Sequence, residues 1–295
     1  MFDALLLLNK SSGITSFEAL NPVKKALGTG KAGHSGSLDK FADGLLVVLA
    51  GKALKLTPYV TGCSKRYEAL VRLGIETDTL DPEGRVIAEA PVPAEAALTA
   101  AMERFRGGIM QTPPAFSAIH VGGKRAHELV RSGIPVEMKP RPVTIHELVL
   151  RDYDPPFARV GICCSAGTYI RALARDIALE AGSRAHLAGL TRTMSGAFSL
   201  TDALSLPPPP IDPDVIKNAL HPIDRSIFDA LSIPVVEVDE KTAAAMRYGK
   251  PVAEVFATHE RPAPLAVFCG DSFIALLDSR PAENNAARWR YAFVF

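Results

Sequence analysis

Asp39 is the residue in this chain best placed for chemistry. It lies in the polar stretch His34 to Asp43 (HSGSLDKFAD), directly before the apolar, strand-length run Leu45 to Ala50. A carboxylate pinned to a rigid element has a fixed address, as a nucleophile or general base requires. An aspartate in a glycine-rich turn is also a common turn former or cap, so Asp39 alone does not decide between the two. Tyr67, in Lys65-Arg66-Tyr67, reads equally well as an ordinary strand aromatic. Arg171, two residues after Tyr169 in GTYIR, would by itself be a solvated residue on a helix face. The four cysteines, Cys63, Cys163, Cys164 and Cys269, form no C-x-x-C pair and have no histidine at zinc-ligand spacing. They read as reduced thiols of a cytoplasmic protein, and they leave no metal site in view. Gly28-x-Gly30-x-x-Gly33 fits the dinucleotide-binding pattern but follows a helix instead of a strand, so that reading is rejected.

The elements that must hold these residues follow from periodicity and breakers. Ala4 to Leu8 reads as a buried strand. Ser16 to Leu27 reads as a helix capped by Ser16 and stopped by Gly28, unless Pro22 sets the start at Asn21. Lys65 to Leu73 alternates, with Tyr67, Ala69, Val71 and Leu73 on one side and Arg66, Glu68 and Arg72 on the other. Asp78 to Gly84 (DTLDPEG) is a turn without EF-hand spacing. Ala94 to Phe105 is a helix, Val143 to Leu150 and Arg159 to Cys164 are strands, and Thr168 to Ala181 is a helix carrying Tyr169 and Arg171 in its first turn. Four consecutive prolines within Leu206 to Asp214 make a stiff extended segment. From Ile233 on, short runs at Leu265 to Cys269, Phe273 to Leu277 and Arg290 to Phe295 suggest a small all-β unit.

The pattern His34-x-Gly36-x-Leu38-Asp39-x-x-Ala42-x-Gly44 resembles the catalytic-aspartate motif of the TruB family of tRNA pseudouridine synthases. Further motifs follow in order: Lys65-Arg66-Tyr67, RLGIETDT from Arg72, QTPPAFS from Gln111 with Gly123-Lys124-Arg125, GTYIR ending at Arg171, and LTRTMSGAFSL from Leu190. The ordered series spans about the first two thirds of the chain and is more specific than any one motif. The resemblance implies a mixed α/β (α+β) pseudouridine-synthase sheet with flanking helices and an RNA-gripping insertion, followed by a PUA-like all-β domain. It implies isomerisation of the T-loop uridine of tRNA without any cofactor. Asp39 would be the catalytic carboxylate, and attack on the ribose, attack on the base and removal of a ribose proton all stay open. Arg171 would hold Asp39 ionised through a bidentate pair, against the upward pKa shift that burial brings. Tyr67 would lie against the target base, Tyr169 and Leu190 would wall the pocket, and His34 would fill the space the flipped base leaves. Lys10, Lys65, Arg66, Lys124, Arg125 and Arg141 would meet the RNA. The chain departs from the family at Ser11, at LDKFADG and at His127. Asp43 is therefore an extra acid near Asp39, expected to raise its pKa or repel phosphate, with Lys40 as an offset.

The whole chain is compatible with that reading. Its 295 residues carry a net charge of only +1, but the charge is uneven. Between Arg104 and Arg151 eight Lys/Arg face three Asp/Glu, whereas Asp202 to Glu240 holds eight acids and two bases. The first region suits a polyanion such as the tRNA T arm and reads as a flexible projection over about 104–151. A catalytic domain over 1–231 and a second unit over 232–295 are expected. The apolar fraction of 47% and the short run Leu5 to Leu8 fit no membrane span or signal core. A monomer without a protein partner is the expectation. An RNA-binding module without turnover would show the same basic stretch, but the Asp39, Tyr67 and Arg171 set favours an enzyme. A guide-RNA-dependent relative is disfavoured because the basic insertion is present and long basic tails are not.

Overall fold

The computed structural model describes residues 2–117, 119–121, 123–252, 264–280 and 288–295. The first half of the chain runs β1 (Ala4–Lys10), α1 (Leu20–Leu27), β2 (Ala32–His34), β3 (Asp43–Ala50), α2 (Thr57–Gly62), β4 (Lys65–Leu73), the hairpin β5 (Ile75–Thr77) and β6 (Val86–Glu89), α3 (Glu95–Glu103) and β7 (Gly107–Gln111). A small hairpin, β8 (His120–Val121) and β9 (Lys124–Arg125), leads through α4 (Ala126–Arg131) to the long strand β10 (Arg141–Asp154). Next come β11 (Phe157–Cys164), α5 (Ile170–Glu180), β12 (Ala185–Ser195), β13 (Phe198–Ser199), β14 (Leu204–Ser205), α6 (Pro213–Asn218), β15 (His221–Pro222) and α7 (Arg225–Ala230). The chain closes with β16 (Val235–Glu237), α8 (Glu240–Arg247), β17 (Leu265–Cys269), β18 (Ser272–Arg280) and β19 (Arg288–Val294).

The main sheet is mixed, in the order β14-β1-β3-β12-β4-β11-β10-β7. Strands β1 and β3 are apolar on both faces because both faces are covered. Side chains alternate across a strand, so Leu6, Leu8, Leu46 and Val48 meet Leu20, Val23 and Leu27 of α1 and Ile216 of α6. Their neighbours Leu5, Leu7, Leu45, Val47 and Leu49 point the other way and share a core with Ile227 and Phe228 of α7 and with Ala266, Phe268, Phe273 and Leu276 of the terminal sheet. Helices α3 and α5 cover the β4–β11–β10 part through Leu98, Met102, Ile170, Leu173 and Ile177.

Several elements differ from expectation. Helix α1 starts at Leu20, and Ser16 caps nothing. Pro22 then falls in the first turn, where its missing N–H has no intrahelical partner to lose. Gly28 ends the helix in the left-handed region, with φ 59°. The stretch 104–151 is not one projection: Gly107–Gln111 and Arg141–Asp154 pair with each other in the main sheet, Arg141 opposite Gln111, and only what lies between them departs from it. The terminal unit, a sheet in the order β16-β17-β18-β19, also carries a helix, since Ala243 and Met246 of α8 pack on Leu265, Val267, Ile274 and Leu277. Among the described residues no helix is long and apolar enough to cross a membrane.

Candidate active site

Asp39 lies on the loop between β2 and β3, and the preceding β1–α1 loop clamps it in place. The Ser16 hydroxyl accepts from the Leu38 N–H at 2.8 Å and donates to the Leu38 carbonyl at 3.1 Å. Ser12 donates to the carbonyl of Phe41 at 2.7 Å, and the Gly13 N–H to that of Lys40 at 2.8 Å. From the other side comes Arg192 of β12, almost wholly buried. Its Nε donates to the Leu45 carbonyl at 2.7 Å and its Nη2 to the Gly36 carbonyl at 3.0 Å. Both ends of the Asp39 loop are therefore tied to one guanidinium.

Arg171 enters at the start of α5. The Gln111 side chain brackets the residue before the helix, accepting from the Tyr169 N–H at 2.9 Å and donating to its carbonyl at 3.1 Å. The buried Arg171 guanidinium then joins two carboxylates. Its Nε lies 2.9 Å from Asp39 Oδ2 and its Nη2 donates to Asp39 Oδ1 at 3.2 Å, while Nη1 reaches Asp81 Oδ2 at 3.3 Å. The carbonyls of Thr79 and Phe116 accept from it at 2.7 and 3.0 Å. Asp81 is held in turn by the Thr79 hydroxyl at 2.6 Å and the Glu83 N–H at 3.1 Å. The two acids are unequal: the Asp39 side chain is 42% exposed, at the mouth of the site, and that of Asp81 only 10%. Burial pushes the Asp39 pKa above the ordinary carboxylate value, Arg171 opposes that, and Asp81 adds to it.

The other residues fall into two groups. Tyr67 and Tyr169 lie within reach of the Asp39 charge, His34 stands on β2 near the Arg192 and Lys24 charges, and Leu190 is buried beside Ala69 in the β12–β4 pairing. Burial raises the phenol pKa of both tyrosines, and the Asp39 charge adds to the rise in each. The Arg192 guanidinium holds Tyr67 back, and the Ser117 hydroxyl does so for Tyr169. His34 is driven toward the neutral imidazole by burial, then by Arg192 and Lys24, as suits a packing residue more than a titrating one. Lys10 is buried, with Nζ on the carbonyls of Ser11 at 2.9 Å and Ile14 at 2.7 Å. Burial lowers its pKa, against the charges of Asp43 and Asp39.

The second group is not gathered there. Lys65, read from sequence as an RNA contact, turns inward, and its ammonium donates to the carbonyls of Thr61 and Cys63, both at 2.6 Å, and Val60 at 3.4 Å. It caps the end of α2. Arg66 is exposed and pairs with Glu147 at 2.7 Å. Arg141 is exposed at the first position of β10, and the side chains of Lys124, Arg125 and His127 lie outside the described residues. The acid that raises Asp39 is Asp81, not Asp43, and Lys40 reaches Glu83 at 3.7 Å. Sequence reading missed both Asp81 and Arg192. Asp81 lay in view within DTLDPEG, but nothing local shows that this turn meets a helix start 90 residues away.

The fold extends over 99% of the chain to one in the crystal structure of a Cbf5-Nop10-Gar1 complex, with a TM-score of 0.71, 23% identity and 84% of that chain covered. A similar match, with a TM-score of 0.68 and 21% identity, covers 98% of this chain and 85% of one in the archaeal box H/ACA sRNP Nop10-Cbf5 complex. In sequence, the tRNA pseudouridine synthase B of Thiobacillus denitrificans (strain ATCC 25259 / T1) is 42% identical over 254 residues, 85% of this chain and 84% of the relative. That of Borreliella burgdorferi (strain ZS7) is 44% identical over 206 residues, 69% of this chain and 73% of the relative. Together these matches define an isomerase, a pseudouridine synthase. More narrowly, residues 24–170 match the N-terminal domain of TruB family pseudouridylate synthases, and the chain belongs to that family.

Proposed function

We propose that this enzyme converts the T-loop uridine of tRNA to pseudouridine, with Asp39 as the catalytic carboxylate and no metal or organic cofactor, acting as a cytoplasmic monomer. The reading draws its substrate from the relatives named tRNA pseudouridine synthase B. Its chemistry rests on one observation, the buried Arg171 guanidinium that grips both oxygens of a carboxylate lying at the mouth of the site. The reaction breaks the bond from uracil N1 to ribose C1′, turns the base and joins C5 to C1′. The hydrogen leaves C5 and N1 gains one, so nothing is oxidised or hydrolysed. A single ionised carboxylate suffices as nucleophile or base. Flipping the uridine costs a few kcal/mol. Stacking on Tyr67 would return about 1–3 kcal/mol of it, with Tyr169 and Leu190 as walls and His34 in the vacated space. Lys124, Arg125 and Arg141 would lie along phosphates, and the catalytic unit would run over 1–231 with the terminal unit over 232–295.

The test is a uridine-labelled T-arm transcript incubated with the purified protein and a chelator. Wild type forms pseudouridine. Asp39→Asn keeps RNA binding within a few-fold and loses many factors of ten in rate, each worth about 1.36 kcal/mol. Turnover by that variant near the wild-type rate overturns the assignment.

A further inference from the structure

The β1–α1 loop, residues 11–19, presents two large apolar side chains to solvent: Ile14 is 38% exposed and Phe17 65%. This loop is no loose surface turn. Ser12, Gly13 and Ser16 bind it to the backbone of Phe41, Lys40 and Leu38, on either side of Asp39. Lys10, which feels the Asp39 charge, donates to the Ile14 carbonyl. Phe17 is therefore an exposed aromatic on a backbone tied to the Asp39 loop. The Lys24 ammonium lies over its ring, 4.8 Å from the centroid. Lys25, the next residue of α1, is exposed, and the acid on the same loop, Glu18, is bound to the Thr15 N–H and hydroxyl at 2.7 and 2.8 Å.

An exposed aromatic under the ammonium of Lys24, with Lys25 next to it in α1, fits a nucleic-acid base and its phosphate, since every base offers a π-face and the flanking backbone is anionic. A protein partner would gain nothing particular from the lysines. We propose that Phe17 is a stacking platform for an unpaired base of the substrate RNA other than the target uridine, with Lys24 on the adjoining phosphate. The proposal rests on the reading that the substrate is RNA, and it adds a second base-binding point beside the Asp39 pocket.

Binding of a dye-labelled T-arm hairpin, followed by anisotropy at several salt concentrations, tests it. Phe17→Ala should weaken Kd by about 5- to 150-fold, the span of one stacked base. Phe17→Trp should retain affinity, and Phe17→Leu should be as weak as alanine because it restores apolar area but no π-face. Lys24→Ala should flatten the slope of log K against log salt by about 0.7–0.9. Equal binding by wild type and F17A, or full recovery by F17L, overturns the platform. An unchanged slope in K24A overturns the phosphate contact. Self-association of the wild type that F17A abolishes would assign the patch to a second copy and also overturn it. Because binding is read without turnover, RNA that binds but is not isomerised counts against the proposed reaction alone.

Discussion

Arg171 holds two aspartates that do different things. Asp81 is buried and bonded on both oxygens, whereas Asp39 is open to solvent on one side and free to meet a substrate. Asp39 has its pKa raised by burial and by Asp81. A reaction that needs it ionised should therefore switch on, as pH rises, above the usual carboxylate range. Asp81→Asn removes one of the raising charges, so the acid limb of kcat/KM should move to lower pH even as the rate falls; a limb that stays put would show that Asp81 does not act on Asp39. The raised pKa also bears on folding. A carboxylate whose folded-state pKa lies above its unfolded one contributes stability at low pH and loses it as pH rises through the folded value. Ionised Asp39 thus works against the fold at neutral pH, and Asp39→Asn should melt no lower than wild type. Asp81→Asn turns an amide donor toward a buried guanidinium and should cost about 3–5 kcal/mol. At this scale the place of Asp39, on a loop leading into a buried strand, was legible in sequence because the pattern is local. What the sequence does not show is where Lys10 and Lys65 point: a lysine in a string of letters looks solvated, while here each ammonium is bonded to backbone carbonyls.

Among the elements, the decisive contact is the parallel junction of β3 and β12, with Thr191 opposite Asp43 and Arg192 opposite Gly44. The same β12 residue faces Tyr67 of β4, so one register sets the acid loop, the arginine behind it and this tyrosine together. Nothing in the sequence announces that register, which is why Arg192 passed unnoticed in LTRTMSGAFSL even though the strands around it were plain from periodicity. The junction is tight enough to demand glycine. A Cβ on Gly44 would lie 2.4 Å from the Arg192 carbonyl oxygen and 2.7 Å from its nitrogen, at a φ of +98°. Backbone cannot yield as a side-chain tip does. Gly44→Ala should cost about 3 kcal/mol or more and, in whatever fraction folds, depress turnover by shifting the Asp39 loop. Urea unfolding beside single-turnover rates checks both, and a variant as stable as wild type would mean the two strands are free to part.

Over the whole molecule, the sequence suggested two units, and the strands of the second were read nearly where they lie. What periodicity could not show is that the two sheets share a core. Leu5, Leu7, Leu45 and Leu49 of the main sheet share one apolar layer with Phe268 and Phe273 of the terminal sheet and with Phe228 of α7. The rings are packed edge and tilt, Phe228 to Phe268 at 5.5 Å and Phe228 to Phe273 at 4.5 Å between centroids. The aromatic tail continues that contact, with Lys52 over Phe295 and Lys55 over Phe293. Units joined through a common apolar layer should unfold together, because losing either strips the other of its cover. One calorimetric transition is expected. Phe228→Ala, at the centre of the layer, should lower the stability of the whole chain by about 3–5 kcal/mol and move that single transition without splitting it. Two resolved transitions, only one of them shifted by the substitution, would mean instead that each sheet holds itself together and that this layer merely docks them.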